Sequence, residues 1–106
     1  MKHGLSDATV AFIHAVLRRY PQVERAILYG SRAKGTAKPG SDIDLTLIGG
    51  DDLTLEVLLR IMREMDESSL PYRFDLSIFR SITDPEVREH IERVGVLFYE
   101  RTPEQP

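Results

Sequence analysis

The 106-residue sequence contains no cysteine. Disulfides, thiolate metal sites and cysteine nucleophiles are therefore excluded, and the absence agrees with a reducing compartment. Any metal has to be held by carboxylates, histidines or backbone oxygens. No apolar run approaches the about 20 residues that a membrane span needs, and the N-terminus lacks the basic, apolar, small order of a secretory signal. A cytoplasmic protein is expected. Basic charge is also scarce and dispersed, with 14 lysines and arginines against 17 acidic residues and a net charge of -3. A dedicated nucleic-acid binder or a polybasic membrane-surface protein would concentrate positive charge, so neither partner is expected.

The composition is that of a folded globular chain, 42% hydrophobic and 29% charged. Its length suits one domain over residues 1–106, without repeat or linker, burying roughly two-thirds of its unfolded surface. Ser6 or Asp7 can cap a helix to about residue 20, with Val10, Ile13, Leu17 and Tyr20 at helical spacing and Pro21 as the stop. The run Ala26-Ile27-Leu28-Tyr29 within 23–29 reads as a strand buried on both faces, punctuated by Gly30. A short helix from Ser31 gives way to a loop containing Thr36, Pro39 and Gly40.

A second strand is expected over 42–48. After Gly49-Gly50, a helix capped by Asp51, Asp52 or Thr54 carries the stripe Leu55, Leu58, Leu59, Met62 and Met65 and runs to about Ser68. Residues 72–79 alternate as a third strand. Asp84-Pro85-Glu86 opens a last helix, with Val87, Ile91 and Val94 inward and Gly95 as its stop. Val96 to Tyr99 is a final apolar run, and 101–106 reads as a frayed tail. The expected class is α/β or α+β, helices packed on a small mixed sheet.

Side chains alternate along a strand, so Asp42 and Asp44 share one face of the second strand with Thr46, opposite Ile43, Leu45 and Leu47. Asp75 lies with Arg73 and Ser77 opposite Tyr72, Phe74, Leu76 and Ile78. If the two strands are neighbours, three carboxylates converge, and their repulsion calls for a cation. Magnesium is the natural one, taking one or two carboxylates together with phosphates and water. Three aspartates suffice for two ions flanking an in-line displacement, one at the attacking oxygen and one at the leaving phosphate. The alternative is an exposed polar sheet face, with Arg73 as a salt-bridge partner of Asp75. Gly30-Ser31 after a buried strand suits close approach of backbone to a phosphate, with Arg32 and Lys34 as added charge. It is equally the sequence of a capped turn.

Taken together, Leu28-Tyr29-Gly30-Ser31-Arg32-Ala33-Lys34-Gly35 and, after a spacer of ten residues from Ser31, Asp42-Ile43-Asp44 resemble the signature of the DNA polymerase beta nucleotidyltransferase superfamily. More narrowly they resemble the minimal nucleotidyltransferases of prokaryotes, and the likeness spans nearly the whole chain. The resemblance implies a polymerase-beta-type fold, with Asp42, Asp44 and Asp75 as metal ligands and catalytic residues. Asp75 would also assist the acceptor hydroxyl. Gly30 and Ser31 would bind the triphosphate. It further implies transfer of a nucleoside monophosphate, AMP from ATP, with magnesium or manganese as cofactor. The implied acceptor is a neighbour-encoded helical HEPN-type protein, and the implied role is that of an antitoxin. Two alternatives accompany it: an antitoxin or subunit that acts by contact only, and an adenylyltransferase for a small molecule such as an aminoglycoside, whose pocket a partner or homodimer completes.

The remaining polar residues have plainer expectations. His3, His14 and His90 are expected at the surface or its boundary, away from the aspartates. Asp51-Asp52 is expected as a capping loop, Met62 and Met65 in the core, and Arg88 and Arg93 in solvent.

Overall fold

Residues 3–38 and 40–102 are described by a computed structural model. Helix α1 (Asp7–Arg18) begins where the Ser6 hydroxyl accepts from the Thr9 amide, and Asp7 adds favourable charge to the first turn. Strand β1 (Val23–Tyr29) leads through Gly30 into the single turn α2 (Ser31–Lys34). Strand β2 (Ile43–Gly49) is followed by helix α3 (Leu55–Asp66), and Thr54 settles the choice of cap by accepting from the Val57 amide. Strand β3 (Phe74–Ile78) closes into a 3-10 turn (Phe79–Ser81) that replaces the expected end of the strand. Helix α4 (Pro85–Val94) starts at Asp84, whose carboxylate accepts from Glu86, and strand β4 (Val96–Glu100) is last. Pro85 sits in the first turn, where its missing N–H costs nothing. Among the described residues no helix is long and apolar enough to cross a membrane.

The four strands form one mixed sheet in the order β3-β2-β1-β4. β1 is antiparallel to both β2 and β4, whereas β2 and β3 are parallel. A parallel pair needs a crossover, and α3 supplies it. Ala26 and Leu28, Ile43, Leu45 and Leu47, Phe74, Leu76 and Ile78, and Tyr99 turn to one face of the sheet. There they pack with Ile13, Val16 and Leu17 of α1 and Leu58, Ile61 and Met65 of α3 in a single core. Each such aliphatic side chain, fully buried, contributes about 1.5–3 kcal/mol.

Several expectations change. On α3 the buried stripe is Leu58, Ile61 and Met65, while Leu55 and Leu59 are 64% and 54% exposed. The helix is rotated so that Ile61, rather than its two exposed leucines, meets the core. Val87 is likewise exposed, leaving Ile91 as the buried residue of α4. At the C-terminus Arg101 is tied back rather than frayed: its amide donates to the Glu24 carbonyl at 2.9 Å, and its side chain to that of Pro21 at 2.6 Å. The rest of the expected tail, 103–106, lies outside the described residues.

Candidate active site

The parallel register sets Asp44 of β2 directly beside Asp75 of β3, and Thr46 beside Ser77. Paired residues on adjacent strands point the same way and lie about 4.8 Å apart in the hydrogen-bonding direction. The two carboxylates therefore stand side by side on the face opposite the core. Beneath them the Ser77 hydroxyl donates to Thr46 Oγ1 at 3.0 Å, and Thr46 is fully buried, so the floor of the site is a satisfied polar pair.

On its other side β2 pairs with β1, and Tyr29 is the register partner of Asp44. Gly30 follows with φ 76° and ψ -155°, backbone that glycine adopts and other residues avoid. Its backbone packs so close to the aspartate that a Cβ at position 30 would lie 2.3 Å from Asp44 Oδ2. The turn opening α2 is thus pressed against the carboxylate. Helix geometry leaves the first amides of α2 without intrahelical partners, and Ser31 is half-buried beside them.

Electrostatics follow from this crowding. Burial first, then the charges of Asp75 and Asp42, push the Asp44 carboxyl above the usual carboxylate range, with Arg32 and His90 acting in the opposite sense. The Tyr29 phenol is raised as well. Burial is the main cause, the Ser77 hydroxyl opposes it, and the Asp75 and Asp44 charges add to it.

The three expected carboxylates are not equivalent. Asp44 and Asp75 form the pair. Asp42 is exposed and lies just before the β2 ladder, near enough for its charge to be felt at Asp44. Among the described residues no three histidine or acidic side chains converge tightly enough to hold an ion unaided. The chemistry of the donor set nevertheless fits magnesium, which takes one or two hard carboxylate oxygens and completes its shell with phosphate and water. A cation here would offset the part of that rise which, beyond burial, comes from the Asp75 and Asp42 charges.

Arg32 departs from its expected part at the phosphate. It is 2% exposed, and its guanidinium donates to the carbonyls of Ser41, Asp42 and His3. The group is drawn inward because these carbonyls, rather than solvent, line its path. Lys34, at the C-terminal end of α2, is exposed.

Two further residues, neither assigned a role from the sequence, belong to this neighbourhood. His90 on α4, expected away from the aspartates, is half-buried with its ring edge-on to Tyr29, 6.3 Å between centroids, and its charge bears on Asp44. Tyr29 itself borders both aspartates. A signal for His90 exists in its place one residue before the buried Ile91 and one helical turn before Val94. The other histidine of a helix, His14, hydrogen-bonds the Phe98 carbonyl through Nε2 at 2.7 Å, away from the aspartates as expected. Arg88, expected in solvent, instead donates to the carbonyls of Phe79 and Ile82 and lies over the Phe79 ring.

Known proteins resemble this chain in sequence and in fold. A family model described as polymerase beta, nucleotidyltransferase, matches residues 12–104. The probable protein adenylyltransferase MntA of Haemophilus influenzae is 33% identical over 104 residues, covering 96% of this chain and 90% of the relative. In fold, the chain resembles a toxin-antitoxin crystal structure with AMP-PNP, with a TM-score of 0.70 and 21% identity over 94% of this chain and 78% of that one. It also resembles a chain of the tri-AMPylated Shewanella oneidensis HEPN toxin in complex with its MNT antitoxin, with a TM-score of 0.68 and 19% identity over 92% and 74% of the two chains. Carried by the family match along most of its length, the chain belongs to the polymerase beta nucleotidyltransferase family, among the minimal nucleotidyltransferases.

Proposed function

We propose that this protein transfers AMP from ATP to a hydroxyl of a protein partner, a HEPN-type toxin, and so acts as its antitoxin. The observation that carries the reading is the Asp44–Asp75 pair with the Gly30 turn pressed against it, a carboxylate pair adjoining a backbone cradle. The relatives support the acceptor class: one is a probable protein adenylyltransferase, and another structure contains an AMPylated HEPN toxin.

In this reading Gly30 and Ser31 hold the triphosphate, and Lys34 adds charge from the end of α2. Asp42, Asp44 and Asp75 would hold magnesium, which neutralises phosphate charge and polarises the reacting oxygens when bound. Asp75, the more exposed member of the pair, faces solvent where an acceptor can enter, and its carboxylate assists the acceptor hydroxyl. The hydroxyl oxygen bonds to the α-phosphorus as its proton passes to the Asp75 carboxylate, the bond from that phosphorus to the bridging oxygen breaks, and pyrophosphate leaves. Adenine is the base of choice by likeness to the relatives.

Mixing the protein with ATP, magnesium and its neighbour-encoded partner is expected to add the mass of AMP to the partner. Unchanged partner mass with intact ATP would refute the reading. Contact-only neutralisation is the competing view, favoured by the exposed Leu55 and Leu59 on α3. Full neutralisation by Asp44→Asn would establish it.

A further inference from the structure

Asp44 and Asp75 are held by the sheet, but Asp42 is not. β2 begins at Ile43, whose amide donates to the Arg73 carbonyl at 2.9 Å, so Asp42 sits one residue outside the ladder at the end of the spacer that returns from α2. The group that takes hold of its backbone is Arg32. Nε donates to the Asp42 carbonyl at 3.2 Å, Nη2 to the Ser41 carbonyl at 2.7 Å and Nη1 to the His3 carbonyl at 2.9 Å. The guanidinium also lies over the Tyr72 ring, 5.1 Å from its centroid.

We infer that Arg32 is a positioning residue that fastens the spacer, and with it Asp42, to the turn carrying Gly30 and Ser31. The role in nucleotidyl transfer rests on the function proposed above, whereas the fastening itself does not. Arg32 stands next to Ser31 in a one-turn helix, so a single side chain sets the separation between the phosphate turn and the carboxylate that the ladder leaves loose. Its planar fork of five N–H donors can serve three carbonyls in different directions. A lysine ammonium keeps the charge but is a compact group on a flexible stem and cannot span all three. The Nη1 bond to His3 ties the N-terminal segment into the same strut.

The test compares Arg32→Lys and Arg32→Met with the parent in the full chain, by amide hydrogen exchange and by binding of manganese alone. Expected for Arg32→Lys is at least about tenfold faster exchange at Lys38 and Ser41, whose amides are bonded within the spacer, with the β1–β2 ladder still protected. Manganese should bind more weakly to the same variant. Where transfer is measurable, kcat should fall about a hundredfold with little change in KM for ATP. Unchanged spacer exchange with a raised KM for ATP would overturn the inference in favour of a direct phosphate contact. Loss of protection throughout the sheet in Arg32→Lys would overturn it in favour of a role in the core, and parent-like behaviour of both variants would overturn it outright. If the parent transfers no nucleotide yet Arg32→Lys loosens the spacer as described, the fastening stands and the proposed function falls.

Discussion

Gly30→Ala should damage the site more than the fold. At φ 76° and ψ -155° an L side chain costs about 1–3 kcal/mol, because that backbone region suits glycine. The new Cβ would also fall 2.3 Å from Asp44 Oδ2, well inside contact distance. The clashing atom is the end of a short side chain, so it can rotate away at small cost to folding. Its rotation removes the carboxylate from beside Asp75. For a domain of this size each kcal/mol lowers Tm by about 4–8 °C, so the backbone strain predicts a drop of roughly 5–20 °C by thermal circular dichroism. Nucleotidyl transfer, followed by partner mass at a temperature where the variant is folded, should fall by about a hundredfold. Gly35→Ala is the comparison: φ is 78°, but no described atom lies within 4 Å of the added Cβ. It should lose about 1–2 kcal/mol of stability and keep its transfer rate. Equal losses of rate in the two variants, or full transfer by Gly30→Ala, would refute the argument that Gly30 is needed for the carboxylate.

Other outcomes follow from the same geometry. Because the Asp44 carboxyl titrates above its unfolded value, the folded state holds that proton more tightly, and the penalty for ionising it grows as pH rises from 3.8 through the raised value. Asp44→Asn should therefore melt above the parent at pH 7, with the difference vanishing below about pH 3.8, while transfer is lost; a lower melting point at pH 7 would count against the crowding described. On α3, Ile61→Ala should cost about 2–5 kcal/mol in urea unfolding, since Ile61 is fully buried. Leu55→Ala, at a residue 64% exposed, should stay within about 0.5 kcal/mol, and a larger loss there would mean the helix is rotated differently.

Local chemistry makes much of this protein legible in its sequence. Ser6, Thr54 and Asp84 announce helix starts because their side chains satisfy amides two or three residues ahead, and the alternation around Asp44 and Asp75 assigns each a strand face without knowledge of neighbours. The spacing between Gly30-Ser31 and Asp42-Ile43-Asp44 is likewise a property of the linear chain, and with Asp75 further on it carries the family resemblance. Tertiary structure decided which strands meet. The pairing of Asp44 with Asp75 depends on the α3 crossover laying β3 parallel to β2, and no residue near either aspartate encodes that register. The same holds for Arg32, which reads as a free cation in sequence and is drawn inward by carbonyls from two separated segments. It holds too for Leu55 and Leu59, which match a helical stripe but face away from the core, and for His90, which meets Tyr29 from a helix remote in the chain. Caps and alternation are properties of a few consecutive residues, whereas a site built between strands exists only once distant segments have packed.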